Sequence, residues 1–129
     1  MQIRSFRDLR VWQAGIDLVR QVYELTSKLP RSEVYGLASQ MQRAAVSIPS
    51  NIAEGHARES TKEYLQHLSI AQASFAELET QIEIGKQLKY ISEDNSSRVI
   101  EEISSLGRQL FALRNALTNP RAKVASPDS

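Results

Sequence analysis

From Tyr64 to Gly85 the chain places apolar or small residues at alternating steps of four and three: Tyr64, Leu68, Ala71, Phe75, Leu78, Ile82 and Gly85. That is the spacing of a helix packed along its length against other helices, and the alternation of a strand cannot share it. Just before it, Ser60-Thr61-Lys62-Glu63 reads as a capping box, with Ser60 as N-cap and Glu63 reaching back. The helix is expected to reach about Tyr90, roughly 45 Å at 1.5 Å per residue. Val99, Ile103, Leu106, Leu110, Leu113 and Leu117 repeat the spacing. Ser92 is the second N-cap, Glu93 and Asp94 suit the positive helix end, and Asn119-Pro120 is the stop.

Two further helices precede these. The first spans about Asp8 to Lys28 and is closed by Pro30. It carries two apolar stripes, one through Trp12, Ile16, Val19 and Tyr23, the other through Val11, Leu18 and Leu25. The second spans about Ser32 to Ala57, with Leu37, Met41, Ala44, Ala45, Ile48 and Ile52 inward. Its spacing persists across Pro49, which predicts a helix that continues with a bend near Ala45. Short breaks near Pro30, Arg58 and Ser92 force antiparallel neighbours. The expected fold is therefore all-α, an antiparallel up-down-up-down four-helix bundle over residues 1–119, with residues 120–129 a polar, disordered tail. Gly15, Gly85 and Gly107 fall inside helices, where each costs about 1 kcal/mol against alanine. Each is expected to mark a close helix crossing.

Composition removes most chemistry. The 129 residues make one ordinary domain. Without cysteine there is no thiol nucleophile, no Cys-type zinc site and no disulfide, and the chain suits a reducing cytosol. No run of about 18 apolar residues exists, so no membrane span is expected. Met1-Gln2-Ile3-Arg4-Ser5 opens no signal-peptide run, and a cytoplasmic location is expected. The histidines are His56 and His67, and Glu63 and His67 share a helix face. A di-metal carboxylate bundle needs Glu-x-x-His twice and two further inward glutamates, a pattern that is absent, so this reads as a surface pair. There is no Gly-x-Ser-x-Gly and no phosphate loop. The expectation is no enzyme, no cofactor, no metal and no small-molecule substrate.

Three features bear on binding. Gln40, Arg43, Ser47, Asn51, Glu54 and Arg58 form a polar row on the second helix, and Ser74, Glu77 and Gln81 form one on the third. In an antiparallel hairpin turning near Glu59, Arg43 comes opposite Glu77 and Asn51 opposite His67. A binding groove is one reading. A structural seam of Arg43, Ser47, Asn51, Glu54 and Glu77 that fixes register is the favoured one, with a salt bridge between Arg43 and Glu77. Second, the bundle end at the start of the first helix collects Arg4, Arg7, Arg10, Arg58, Lys62, Arg114, Arg121 and Lys123 against Asp8, Glu54, Glu59 and Glu63. It reads either as a phosphate-contacting rim or as ordinary helix-end decoration. The total charge of +1 supplies no global case for nucleic acid. Third, a bundle helix needs one core stripe, so Val11, Leu18 and Leu25 are left over and form the candidate oligomer interface.

The run Arg43-Ala44-Ala45-Val46-Ser47-Ile48-Pro49-Ser50-Asn51-Ile52-Ala53-Glu54-Gly55 resembles the signature of bacterial four-helix-bundle proteins named for intervening sequences in 23S ribosomal RNA genes. Phe6-Arg7-Asp8-Leu9-Arg10-Val11-Trp12-Gln13, Leu68-Ser69-Ile70-Ala71 and Ala76-Glu77-Leu78-Glu79-Thr80-Gln81 agree with it, so the resemblance covers about Phe6 to Leu117. It implies a cytosolic bundle that forms rings, typically of five subunits. It also implies kinship with accessory proteins of diversity-generating retroelements, which partner a reverse transcriptase and nucleic acid. No enzymatic activity comes with it. Where many relatives carry a basic residue and a glycine, this chain has Gln72-Ala73. The expected function is a ring-forming scaffold that binds RNA or a nucleic-acid enzyme through its basic end. The alternative is a protein-interaction module with no nucleic-acid partner.

Overall fold

In the computed structural model the described residues are 5–119. They form four long helices: α1 (Arg10–Thr26), α2 (Leu37–His56), α3 (Thr61–Gln87) and α4 (Glu93–Thr118). Short 3-10 turns at Phe6–Asp8 and Arg31–Glu33 precede α1 and α2, and no strand occurs among the described residues.

The helix ends follow local chemistry. Ser5 accepts from the Arg7 N–H at 3.1 Å and the Asp8 carboxylate accepts from the Ser5 N–H at 3.3 Å. That cap belongs to the turn, so α1 itself begins at Arg10. Ser60 accepts from the Glu63 N–H and donates to its carboxylate, both at 3.1 Å. Ser92 caps α4 through the Asn95 N–H at 3.1 Å. The second helix starts later than expected. Gly36 leaves the helical region at φ −112°, ψ −115°, and the Glu33 carboxylate caps Leu37 N–H from outside at 2.9 Å. Ser32 and Glu33 therefore belong to the turn. From Leu37 the helix runs through Pro49 unbroken. α3 stops where Lys89 takes the left-handed φ of 66° and the Tyr90 and Ile91 amides return to the Gly85 carbonyl.

Around the core, α1 packs on α2 and α4, and α3 packs on the same two helices. α1 and α3 thus occupy one diagonal, α2 and α4 the other. Leu18, Val22, Met41, Ile48, Ile52, Leu68, Leu78, Ile82, Leu106 and Leu110 are fully buried between them. This corrects the choice of stripe on α1. Val11, Leu18 and Leu25 are core residues, with Leu18 at 0% exposure, and cannot form an oligomer interface. The two α1 stripes have the same helical spacing, so spacing alone does not choose between them. The inward one is completed by Gly15, whose Cα faces Pro49 closely enough that a Cβ would lie 3.2 Å from the proline Cβ. In the Trp12, Ile16, Val19 and Tyr23 stripe, Ile16 and Tyr23 are exposed, while Trp12 and Val19 are partly buried against the core.

Glycine positions sort the crossings. Gly15 meets α2 as expected. Gly85 instead accommodates Ile91 of the α3–α4 connection, whose Cδ1 would stand 2.5 Å from an added Cβ. A Cβ at Gly107 would meet nothing within 4 Å, so Gly107 marks no crossing among the described residues. The tightest helix pair is at Gly55, where a Cβ would meet His67 Cβ and Tyr64 Cδ1 at 2.9 Å.

Gly55→Ala is therefore expected to destabilise the fold by about 1–3 kcal/mol through overpacking, despite alanine's better helix propensity. Urea denaturation followed by circular dichroism measures this. An unchanged midpoint would contradict the close contact.

Candidate functional site

Between α2 and α3 a line of small polar side chains is half-buried. Ser74 donates to Ser47 Oγ at 2.9 Å and to the Ile70 carbonyl at 3.1 Å. Asn51 Nδ2 donates to the Ser47 carbonyl at 2.9 Å and lies 3.1 Å from its hydroxyl. Since the Asn51 amide nitrogen is committed there, its Oδ1 faces His67 Nδ1 at 3.0 Å as acceptor, which places the imidazole proton on Nδ1. Asn51 thus stands opposite His67, as the sequence register has it. Glu54 reaches the same nitrogen at 3.6 Å from an exposed position. Arg43 and Glu77 are a correction. Both are exposed and no ion pair joins them among the described residues. Their register is right, but at that level the inward contact is taken by Leu78 and Ala44, and the charged side chains stay in water. The seam is thus Ser47, Asn51, His67 and Ser74.

Among the described residues two buried side-chain polar atoms have no partner, the Tyr64 hydroxyl and Gln81 Oε1. Burial pushes the Tyr64 phenol up to about 12. Its ring stands edge-on to His56 at 6.0 Å between centroids. Sequence reasoning places Tyr64 in the inward apolar row of α3 but has no signal for an unpaired hydroxyl.

Of the eight cations assigned to one end, Arg4, Arg121 and Lys123 lie outside the described residues, as does the expected tail. Arg7 and Arg10 flank the start of α1, and Arg7 lies over the Phe6 ring at 4.8 Å. Arg58 sits on the connection into α3 and Lys62 in its first turn, both exposed. Arg114 reaches across to Ser69 Oγ at 3.3 Å. With Asp8, Glu54, Glu59 and Glu63 beside them, these five described cations nearly cancel. Across the described residues no group of His, Asp or Glu is arranged to hold a metal ion. No described helix is long and apolar enough to cross a membrane.

The larger feature is apolar. Trp12, Ile16 and Val19 of α1 face Val46, Pro49 and Ala53 of α2 across a shallow groove. Tyr23, Ser39 and Gln42 extend it towards Pro30 and Val34. Ile16 is 46% exposed and Tyr23 47%. The Phe6 ring buttresses Trp12 edge-on at 5.3 Å.

The family model described as 23S rRNA-intervening sequence protein matches residues 7–112. The fold is similar to the crystal structure of a protein with unknown function from the S23 ribosomal protein family from Bacteroides thetaiotaomicron. The TM-score is 0.75 at 19% identity, over 81% of this chain and 97% of that one. No curated protein matches.

Removing Asn51 strands His67 Nδ1, so Asn51→Ala is expected to cost about 1–3 kcal/mol, while Arg43→Ala stays within about 0.5 kcal/mol. Equal losses in chemical denaturation would restore Arg43 to the seam. Tyr64→Phe removes an unpaired hydroxyl and is expected to leave stability at neutral pH unchanged or raised. Because the folded phenol holds its proton up to about 12 against an ordinary 10.0, its contribution is intact below the ordinary value and is lost as pH rises through the folded one. Tyr64→Phe should flatten that alkaline loss. An identical alkaline profile would show that the phenol is solvated.

Proposed function

The chain belongs to the 23S rRNA-intervening sequence protein family, and from that premise we propose that it is a non-enzymatic scaffold assembling into a head-to-tail ring of five subunits. The observation that carries this reading is the groove between α1 and α2. Its rim presents half-exposed Ile16 and Tyr23 beside Trp12 and Val46, and contiguous apolar surface of this kind marks a partner site. The reading takes the helices as an antiparallel up-down-up-down bundle. In support, contacts pair rising numbers on one helix with falling numbers on the next. Gly15 meets Pro49 and Thr26 meets Gln42. Ser47 meets Ser74 and Asn51 meets His67. Ser69 meets Arg114 and Lys86 meets Glu93.

In this arrangement Arg7, Arg10, Arg58, Lys62 and Arg114 share one end. A ring repeats that end on one face, and repetition turns a weak local excess into a basic rim for phosphate. RNA, or an enzyme acting on nucleic acid such as the reverse transcriptase that retroelement kinship implies, is then the partner, in the cytoplasm. A module that binds protein alone is the second reading, favoured by the near-neutral charge of +1.

Light scattering at micromolar concentration is expected to give an oligomer's mass, and Ile16→Glu to reduce it to a monomer that keeps its helical content. A monomeric wild type rejects the scaffold. In gel-shift assays with arbitrary RNA, the rim predicts binding that weakens steeply with salt and is lost in Arg58→Glu/Lys62→Glu. Absence of binding at low salt selects the protein-only reading.

A further inference from the structure

We propose that the edge between α3 and α4, at Gly107 and Phe111, is the surface that enters the α1/α2 groove of a second copy of the chain. This rests on the homo-oligomer reading above and names its missing half.

Phe111 lies inside a long helix yet is 70% exposed. One turn earlier, Gly107 interrupts the same flank of α4, and a Cβ there would touch nothing within 4 Å. Gly15, Gly55 and Gly85 each have a neighbour that an added Cβ would crowd. Gly107 alone among these helical glycines carries its propensity cost with no return among the described residues. The two oddities share one place. Arg114, three residues beyond Phe111 and seven beyond Gly107, bonds Ser69 of α3, so this flank of α4 borders α3.

The diagonal placement of α1 against α3 and α2 against α4 puts the α1/α2 and α3/α4 edges on opposite sides of the molecule. The two edges are unlike. One is a groove lined by Trp12, Ile16, Val46 and Pro49. The other is a single aromatic knob beside a stretch of bare backbone. A large aromatic seated in an apolar pocket is the usual anchor of an interface, and Gly107 lets α4 approach as closely as Gly15 lets α1 approach Pro49. Unlike faces on opposite sides join copies head to tail, each giving one knob and receiving one. Both halves are present on this chain, which makes the occupant another copy of it.

The test mixes two variants, Ile16→Glu, which spoils the groove, and Phe111→Glu, which spoils the knob. Both positions are exposed, and circular dichroism checks that each variant folds. Each alone is expected to be monomeric by native mass spectrometry. Mixed one to one at high concentration they retain one intact contact, knob to groove, and should give a heterodimer and nothing larger. If Phe111→Glu alone still assembles like the wild type, or if the mixture stays monomeric while the wild type assembles, the assignment is wrong. A wild type that never assembles overturns the oligomer reading itself. Gly107→Ala gives an independent readout with opposite signs. It should raise the thermal midpoint of the Ile16→Glu monomer yet weaken assembly of the otherwise wild-type chain. A higher midpoint with assembly unchanged overturns the proposal.

Discussion

The close approach of α2 to α3 at Gly55 is the contact on which the rest of the architecture depends. With no Cβ at that position, the α2 backbone lies directly against Tyr64 and His67. This spacing sets the register in which Asn51 meets His67 and Ser47 meets Ser74. The same register turns Ile48 and Ile52 toward the core alongside Leu68 and Ala71. On its other side α2 meets α1 where Pro49 rests against Gly15. Pro49 deprives the Ala45 carbonyl of its intrahelical donor, a cost set against the buried packing of its ring. Two glycines thus fix α2 between its neighbours, and α4 closes the remaining side with leucines.

Much of this was legible. The caps at Ser60 and Ser92, the seam of α3 and α4, the passage of α2 through Pro49 and the Asn51–His67 pairing all follow from spacing and local hydrogen bonding. The failures have physical causes. On α1 two stripes of the same period compete, and spacing alone does not say which of them faces the core. Small Gly15 marked the true inner face, since only a residue without Cβ lets the helices meet at Pro49. Arg43 and Glu77 were placed at the correct level, but register along a helix does not fix direction around it, and a long charged side chain at the edge of a seam stays in water. Gly55 went unread because it sits beside the helix end, where a glycine is ordinarily a stop signal. The cap from Glu33 to Leu37 depends on the bend at Gly36, a local conformation that periodicity does not encode.

Among the candidate sites, the polar seam spends its hydrogen bonds internally. Ser47, Asn51, His67 and Ser74 satisfy one another, leaving a determinant of register and no open groove. The described part of the basic end is close to neutral, so any phosphate affinity depends on repetition by assembly. What one chain leaves exposed is apolar surface, on the α1/α2 edge and at Phe111, besides scattered side chains such as Ile70, Ile84 and Leu88. In the proposed scaffold, recognition is therefore built first on hydrophobic contact, with charge added by symmetry.

Trp12 is the single tryptophan of the chain and lies on the α1/α2 groove, so its fluorescence reports directly on whether that face is covered in solution. On dilution from micromolar to nanomolar concentration, a covered groove predicts emission that shifts to the red and becomes more accessible to acrylamide, in step with the fall in mass. Emission and quenching that stay constant while the mass falls would show that the copies meet elsewhere, and would contradict the α1/α2 edge as the interface.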